Sequence, residues 1–158
     1  MLRAISVCRA GAVEIDRSID RVILDADERH RRRIVLTGER GTRFLLDLPC
    51  PAALRDGDGL VLDDGHIIRI VARPELLIEV TATDAATLAR IAWHLGNRHT
   101  EVEIVGERLR IRRDHVLEEM LRGLGARLKP IEAPFDPERG AYAHEHSFGH
   151  SDDVEFHV

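Results

Sequence analysis

The sequence predicts a mixed α+β chain: an N-terminal all-β domain, then a ferredoxin-like βαββαβ domain and a flexible, histidine-containing C-terminal tail. Three observations predict this organisation. Residues 1–73 contain short apolar runs between turn signals and show no helical periodicity. Residues 74–141 contain two amphipathic helical stripes among strand-like runs. Residues 142–158 combine histidines with acidic side chains.

The strands of the first domain are separated by glycine-containing turns. Apolar runs at residues 34–36 and 44–48 flank a turn that contains Gly41, and this pattern predicts a hairpin. Runs at residues 60–62 and 67–71 flank Asp-Asp-Gly and predict a second hairpin. Glycine is favoured in such turns because it adopts positive φ without steric cost.

Arg73 and Pro74 mark the expected joint between the domains, because proline biases the preceding residue toward an extended conformation. A strand at residues 76–81 follows, and Asp84 can cap a helix. Apolar residues then recur at helical spacing, at Leu88, Ile91, Ala92 and Leu95. We expect this helix to end at Gly96.

The second half of this domain repeats strand and helix. Residues 101–105 and 109–111 alternate polar and apolar side chains about a glycine turn. Asp114 can cap a second helix that Gly125 ends, and a strand at residues 127–133 completes the order βαββαβ. In this split motif, two helices cover one face of an antiparallel sheet.

Composition restricts the class of function. The 158-residue chain has a net charge of −5, which argues against a nucleic-acid-binding protein with a basic surface. It has no phosphate-binding G-x-x-x-x-G-K-[ST] loop, no nucleophile elbow and no H-E-x-x-H motif, so we expect no enzyme of these classes. With no leader-like or membrane-spanning run, we expect a cytoplasmic protein that does not bind membranes.

Histidines near the C-terminus form the first candidate metal site. Prolines and glycines from Pro134 onward break regular structure, so the acidic segment that follows is expected to be disordered without a ligand. His144, His146 and His150 lie in this segment. Imidazole suits nickel, copper and zinc, and a flexible chain can wrap around one ion. We predict metal binding; a polar solubilising tail is the alternative.

His99, just beyond the first predicted helix, is the second candidate. One imidazole cannot hold a transition metal, and a capping histidine in a surface loop is the alternative interpretation. The residue gains importance if a two-fold axis brings two copies together. Trp93 projects away from the apolar stripe and forms a second small apolar face with Ala86 and Ala89. This face is a candidate dimer contact that would lie near His99.

Other segments receive structural interpretations. His115 is interpreted as a surface residue in the first turn of the second helix. The basic run at residues 29–33 is interpreted as a solvated, self-paired loop, with docking onto an acidic partner as the alternative. Cys8 and Cys50 are expected to be buried as small hydrophobic residues rather than to bind metal.

Three segments occur in a recognisable order. They are residues 92–99 (Ala-Trp-His-Leu-Gly-Asn-Arg-His), 112–121 (Arg-Arg-Asp-His-Val-Leu-Glu-Glu-Met-Leu) and 134–138 (Pro-Phe-Asp-Pro-Glu), the last leading through Gly-Ala-Tyr to the histidine tail. Together they resemble the UreE family of urease accessory proteins. The first two segments are specific, and the resemblance extends over the whole chain.

The resemblance implies a nickel metallochaperone, not an enzyme, that delivers Ni(II) to apo-urease during assembly of its metallocentre. The β domain would engage a protein partner, and the ferredoxin-like domain would form a head-to-head homodimer. His99 of both protomers would hold one nickel ion at the two-fold axis, and His144, His146 and His150 would add ligands. Zn(II) or Cu(II) would fit the same ligands. The implied partners are the urease apoprotein and its accessory GTPase complex.

One departure and two alternatives accompany this resemblance. Some relatives carry a histidine at the position of Arg113, where it forms an accessory site with the residue matching His115, so no second site is expected here. The first alternative is a protein-binding adaptor of the urease assembly complex with incidental metal binding. The second is a metal-sensing regulator on the same scaffold, which would need a DNA-binding module that we do not find.

Overall fold

The structure, a computed structural model, describes residues 1–140 as two β-sheets with two α-helices packed against the second sheet. The strands of the first sheet are β1 (Leu2–Cys8), β2 (Asp20–Leu24), β3 (Arg33–Thr37), β4 (Arg43–Asp47), β5 (Gly59–Leu62) and β6 (Ile67–Ala72). The second sheet contains β7 (Pro74–Thr81), β8 (Glu103–Val105), β9 (Arg108–Arg112) and β10 (Arg127–Pro134), with helices α1 (Ala85–Asn97) and α2 (His115–Gly123). The predicted α+β class is therefore confirmed.

The first sheet has the strand order β2-β6-β5-β1-β4-β3 and curls until its two edges come close. Across the gap, the N–H of Glu39 donates to the carbonyl of Arg21 at 2.9 Å. Both predicted hairpins are present: β3 pairs with β4, and β5 pairs with β6 around Gly65, whose φ is +87°. Buried leucine, isoleucine and valine side chains and Phe44 fill the interior.

The second sheet has the strand order β10-β7-β9-β8, and every neighbouring pair is antiparallel. Each helix connects two strands that are separated in the sheet by one other strand, which is the ferredoxin-like arrangement predicted from the sequence. This order places β8 and β10 at opposite edges. The C-terminal end of β10 and the N-terminal end of β8 lie at the same end of the sheet, because three successive antiparallel pairings make these two strands run in opposite directions.

Helix α1 packs on the sheet through the predicted stripe, with one exception. Ile91 and Leu95 are fully buried and Leu88 is half-buried, but Ala92 is exposed. Position 92 lies at the margin of the stripe, and its methyl group is too short to reach the sheet from there. Ala92 therefore extends the exposed apolar surface of α1 rather than the core.

Three local expectations are wrong. Arg29, expected in a solvated loop, is buried with 2% exposure in a short 3-10 helix at Glu28–His30. The chain does not lose its structure at Pro134, because Phe135 is fully buried in a cluster with Leu77 of β7. Cys50 is exposed and Cys8 only half-buried.

Within residues 1–140, no helix combines the length and apolar character that a membrane crossing requires.

Candidate metal centre

Helix α1 carries the candidate ligand His99 at its C-terminal end. At its N-terminus, the carboxylate of Asp84 accepts hydrogen bonds from the Thr87 N–H at 2.8 Å and the Thr87 hydroxyl at 3.0 Å. Both bonds lower the pKa of Asp84 below its ordinary value, and the bond from the N–H has the larger effect. The cap and the apolar stripe together fix the helix on the sheet and so fix the position of its last turn.

The helix ends in a Schellman motif whose left-handed residue is His99. Gly96, expected to end the helix, lies within it, and α1 continues to Asn97. The N–H of His99 donates to the carbonyl of Gly96, and the N–H of Thr100 donates to the carbonyl of Leu95, both at 3.0 Å. The two bonds form together only when residue 99 has a left-handed conformation, and His99 has φ +55°. Glycine usually occupies this position because a Cβ atom there is disfavoured by about 1 kcal/mol.

Helix α1 exposes apolar side chains on the side away from the sheet. Trp93 is 62% exposed, and its ring meets the ring of His94 edge to face, with centroids 5.0 Å apart. Ala86 and Ala89 are exposed on the same helix, as predicted, and Ile104 of the adjoining edge strand is 55% exposed. The outward orientation of Trp93 therefore agrees with the sequence interpretation, whereas dimer formation itself stays a prediction.

In the part of the chain that the structure describes, His99 does not belong to a cluster of three or more potential metal ligands. Within residues 1–140 there is no group of three or more His, Cys, Asp and Glu side chains that could hold an ion. His115 is exposed at the start of α2, where Asp114 caps the helix by accepting from the N–H groups of Val116 and Leu117. Arg113, two residues before His115, pairs with Glu118 at 3.2 Å.

Three of the four candidate ligands lie beyond the described residues. His144, His146 and His150 belong to residues 141–158, so the structure assigns a position to His99 alone. Two residues that precede the tail in sequence, Asp136 and Glu138, are bonded at the start of β8. The N–H of Glu138 donates to the carbonyl of Val102 at 2.7 Å, and that of Asp136 donates to Glu103 at 3.3 Å.

These two bonds show that the chain crosses from β10 to the β8 edge of the sheet. Strand β8 follows residues 98–102, which we call the His99 loop. The sequence does not predict this segment, because prolines ordinarily interrupt regular structure. Phe135, a large apolar residue between Pro134 and Pro137, was the signal that could have indicated burial. Arg29 and Arg112, which contact Phe135, were missed as well.

Comparison with known proteins identifies the family. Residues 5–73 match the family model "UreE urease accessory protein, N-terminal domain", and residues 75–157 match that of the C-terminal domain. Three proteins named urease accessory protein UreE illustrate the similarity. The one from Bradyrhizobium sp. strain BTAi1 is 57% identical over 134 residues, which cover 84% of this chain and 65% of the relative. The one from Rhodopseudomonas palustris strain HaA2 is 59% identical over 80% of this chain and 59% of the relative.

The third, from Beijerinckia indica subsp. indica, is 56% identical over 93% of this chain and 88% of the relative. The chain thus spans 65% and 59% of the length of the first two relatives. The C-terminal family model alone covers more than half of the chain, and the two models together extend over nearly all of it. The chain therefore belongs to the UreE family of urease accessory proteins.

Proposed function

We propose that this protein is a metallochaperone that carries Ni(II) to apo-urease during assembly of the urease metallocentre. Membership of the family supports the link to urease. The observation that carries the metal assignment is His99, an exposed imidazole at a backbone position that normally takes glycine. Glycine would adopt this conformation with less strain, so we infer that the imidazole serves a purpose other than stability.

The proposed site is shared between two protomers. The described part of one chain offers a single imidazole at this loop and no complete set of ligands, so an ion needs donors from elsewhere. The exposed apolar surface of α1, around Trp93, is the proposed contact of a head-to-head homodimer. A two-fold axis there would bring both His99 side chains to one ion, because a two-fold interface repeats each residue.

The tail histidines are the proposed remaining ligands. His144 follows the anchored Glu138 by six positions, and six extended residues span about 20 Å. His99 precedes Val102, the anchor partner, by three positions, or about 10 Å of chain. His144 and His146 are therefore within reach of the loop, with His150 as a further donor. Zn(II) and Cu(II) would compete, since imidazole ligands do not by themselves select nickel.

The proposed mechanism is ligand exchange. Two His99 side chains form an accessible half-site, and tail imidazoles complete the coordination until a partner's ligands replace them. Ordering the tail costs conformational entropy, which limits affinity and favours release. Because protonated imidazole cannot bind metal, nickel binding weakens from neutral pH toward pH 5, the range in which imidazoles generally titrate.

The proposed division of labour follows the two sheets. Residues 1–73 form the partner-binding domain, residues 74–141 the metal-binding and dimerisation domain, and residues 142–158 the histidine-bearing tail. The partners are the urease apoprotein and its accessory GTPase complex, and the proposed setting is the cytoplasm. The protein itself would act as a carrier and not as a catalyst.

Equilibrium dialysis with mass spectrometry tests the proposal on the full chain, His99→Ala and a chain that ends after Ala143. We expect His99→Ala to remove the strongest nickel site, and the shortened chain to bind more weakly. Full nickel affinity in His99→Ala would refute the role of His99. If no variant binds nickel and urease components co-purify equally with and without a chelator, the adaptor function replaces the proposal.

A further inference from the structure

Strand β3 is an edge of the first sheet whose outward backbone groups are left open. The N–H of Leu48 donates to the carbonyl of Arg32 at 2.9 Å, so the even-numbered residues of β3 are those that bond to β4. Because residues of an antiparallel strand alternate in direction, the odd-numbered residues point their N–H and carbonyl groups away from β4. These residues are Arg33, Val35 and Thr37. Within residues 1–140, no other backbone group pairs with them.

Two other sheet edges are occupied by the chain itself. At the β2 edge, the carbonyl of Arg21 accepts the N–H of Glu39 at 2.9 Å, and the carbonyl of Ile23 accepts from the guanidinium of Arg73 at 3.4 Å. The β8 edge is three residues long, and the carbonyl at its start accepts the N–H of Glu138. Neither edge therefore offers an incoming strand a continuous row of open groups.

The fourth edge, β10, is closed by prolines. The N–H of Arg113 donates to the carbonyl of Leu76 at 3.3 Å, so the even-numbered residues of β7 face β9 and its odd-numbered residues face β10. The register pairs odd residues of β7 with odd residues of β10, which leaves Pro130 and Pro134 on the open side. Proline has no N–H and hinders the addition of a strand. Of the four edges in the described residues, β3 is the one that can accept a strand.

Arginines stand at both ends of the β3 edge. Five of them are exposed there: Arg31, Arg32, Arg33, Arg40 and Arg43. Within residues 1–140, none of the five forms an ion pair. The carboxylates of Glu39 and Asp47, which belong to the same hairpin, are already paired with Arg21 and Arg3. The edge therefore carries unneutralised positive charge, although the chain has a net charge of −5.

We propose that the β3 edge binds an extended, acidic segment of a partner protein, which adds to the sheet as a further strand. Ile34 and Leu36 pack toward the core, so Arg33, Val35 and Thr37 lie on the outer face. Positive charge stands at both ends of this row, and the side chain of Val35 between them is 44% exposed. Opposite charges and apolar pairs on neighbouring strands are favourable. A fitting segment therefore reads acidic-x-apolar-x-acidic, and its backbone bonds supply affinity.

Two other occupants fit this edge less well. A second copy of β3 would add the same arginines to the edge, and like charges on neighbouring strands are destabilising. A nucleic acid would neutralise the arginines, but it has no peptide groups with which to continue the β ladder. The inference rests on the partner-binding role proposed for residues 1–73, and it does not require nickel.

Fluorescence anisotropy with the full chain tests the charge requirement. The probe is a labelled peptide whose centre reads Glu-Thr-Val-Thr-Glu, and its matched control reads Lys-Thr-Val-Thr-Lys. We expect the chain to bind the acidic peptide alone, and more weakly as salt is added, because exposed charges are screened. Equal binding of the two peptides, or binding of neither, would overturn the proposal.

Protein variants test the charge and the backbone separately. Arg33→Glu combined with Arg43→Glu should weaken peptide binding at least about tenfold. The control Arg17→Glu, at an exposed arginine of the 3-10 helix Val13–Arg17, should leave it unchanged. Val35→Pro removes an outward N–H and should weaken binding about threefold to tenfold, whereas Val35→Thr keeps that N–H and should bind nearly as the parent does.

A modified peptide tests the same backbone bonds if Val35→Pro fails to fold. N-methylation of alternate peptide amides removes the donors on one side of the bound strand only. We expect methylation of one alternate set to abolish binding and methylation of the other set to have little effect. Equal effects of the two sets would overturn strand addition. Tighter binding of single-stranded DNA than of the acidic peptide would replace the partner protein with a nucleic acid.

The nickel function and the β3 site can fail independently. His99→Ala should bind the acidic peptide as the parent does, because the β3 edge does not include the metal centre. Failure of the full chain to bind nickel, with peptide binding intact, would refute the proposed metal role and leave the β3 site standing. Nickel binding without peptide binding would refute the β3 site alone.

Discussion

The two helices of the second domain end in the same backbone motif but with different residues at its critical position. In α1 the left-handed residue is His99, with φ +55°, and in α2 it is Gly125, with φ +88°. Both residues donate their N–H to the carbonyl three positions earlier at 3.0 Å. The following residues, Thr100 and Ala126, each donate to the carbonyl five positions earlier, also at 3.0 Å. The fold therefore makes the same backbone demand at both sites.

The difference indicates that the residue at position 99 is less favourable for stability than glycine would be. Within residues 1–140, His99 is the only non-glycine residue with positive φ; the others are Gly11, Gly41, Gly57, Gly65, Gly106 and Gly125. An L residue in this conformation is less stable than glycine by about 1 kcal/mol. At the α2 end, for which we propose no ligand role, the motif has the residue that adopts this conformation with least strain.

The largest expected effect comes from making the α1 end resemble the α2 end. His99→Gly should weaken nickel binding at least about a hundredfold, because loss of a ligand exceeds the loss of a supporting contact. The same substitution should raise the free energy of unfolding by about 1 kcal/mol, because glycine relieves the left-handed strain. Nickel titration and urea denaturation measure the two effects.

His115→Ala is the matched control, since it removes another exposed histidine of the same domain. It should leave nickel affinity unchanged. A His99→Gly protein that is less stable than the parent would contradict the strain argument, and one that still binds nickel tightly would contradict the ligand role.

The reverse change at α2 should have the opposite effect on stability. Gly125→Ala should lower the free energy of unfolding by about 1 kcal/mol, because alanine disfavours φ of +88°. A Cβ atom there would lie 3.9 Å from the Thr87 methyl group, so steric overlap does not contribute. Nickel affinity should stay unchanged. Chemical denaturation measures the difference, and an unchanged midpoint would show that the two helix ends are not equivalent.

Gly96 sharpens the comparison further, because it is a glycine that the helix end does not require. It lies inside α1 without positive φ, and an added Cβ atom would meet nothing within 4 Å in the described residues. Gly96→Ala should therefore raise the free energy of unfolding by about 0.5 kcal/mol. Thermal unfolding measures this change. A decrease would mean that residue 96, and not residue 99, supplies the helix-ending conformation.

The smallest expected effect concerns pH and the N-terminus of α1. The Thr87 N–H and hydroxyl hold the pKa of Asp84 below its ordinary value. A carboxylate whose pKa is lower in the folded state than in the unfolded state stabilises the folded protein. This contribution is fully present above the unfolded-state pKa and is lost as the pH falls through the folded-state pKa. Asp84→Asn should therefore reduce the loss of stability on acidification below about pH 4. The measurement is the unfolding midpoint of both proteins as a function of pH. Midpoints that fall in parallel as the pH is lowered would contradict this assignment.

Much of the fold could be predicted because its signals are local. Hairpins were recognised from turn glycines, and both helices from their apolar spacing and from the caps Asp84 and Asp114. The end of α1 was misassigned because glycine is the usual signal and Gly96 stood nearby. The left-handed residue is His99, two positions beyond the last helical residue, Asn97. A histidine at such a position does not signal the end of a helix in the way that a glycine does.

The sequence by itself determined the order of elements, the helix caps and the candidate imidazoles, since spacing and capping depend on residues a few positions apart. Only the tertiary structure decided that Arg29 is buried and that the chain after β10 crosses to the His99 side. The hydrogen bond from Arg29 to the carbonyl of Phe135 joins residues 106 positions apart. No local pattern encodes such a contact, because burial of that arginine depends on how the two sheets pack around the same segment.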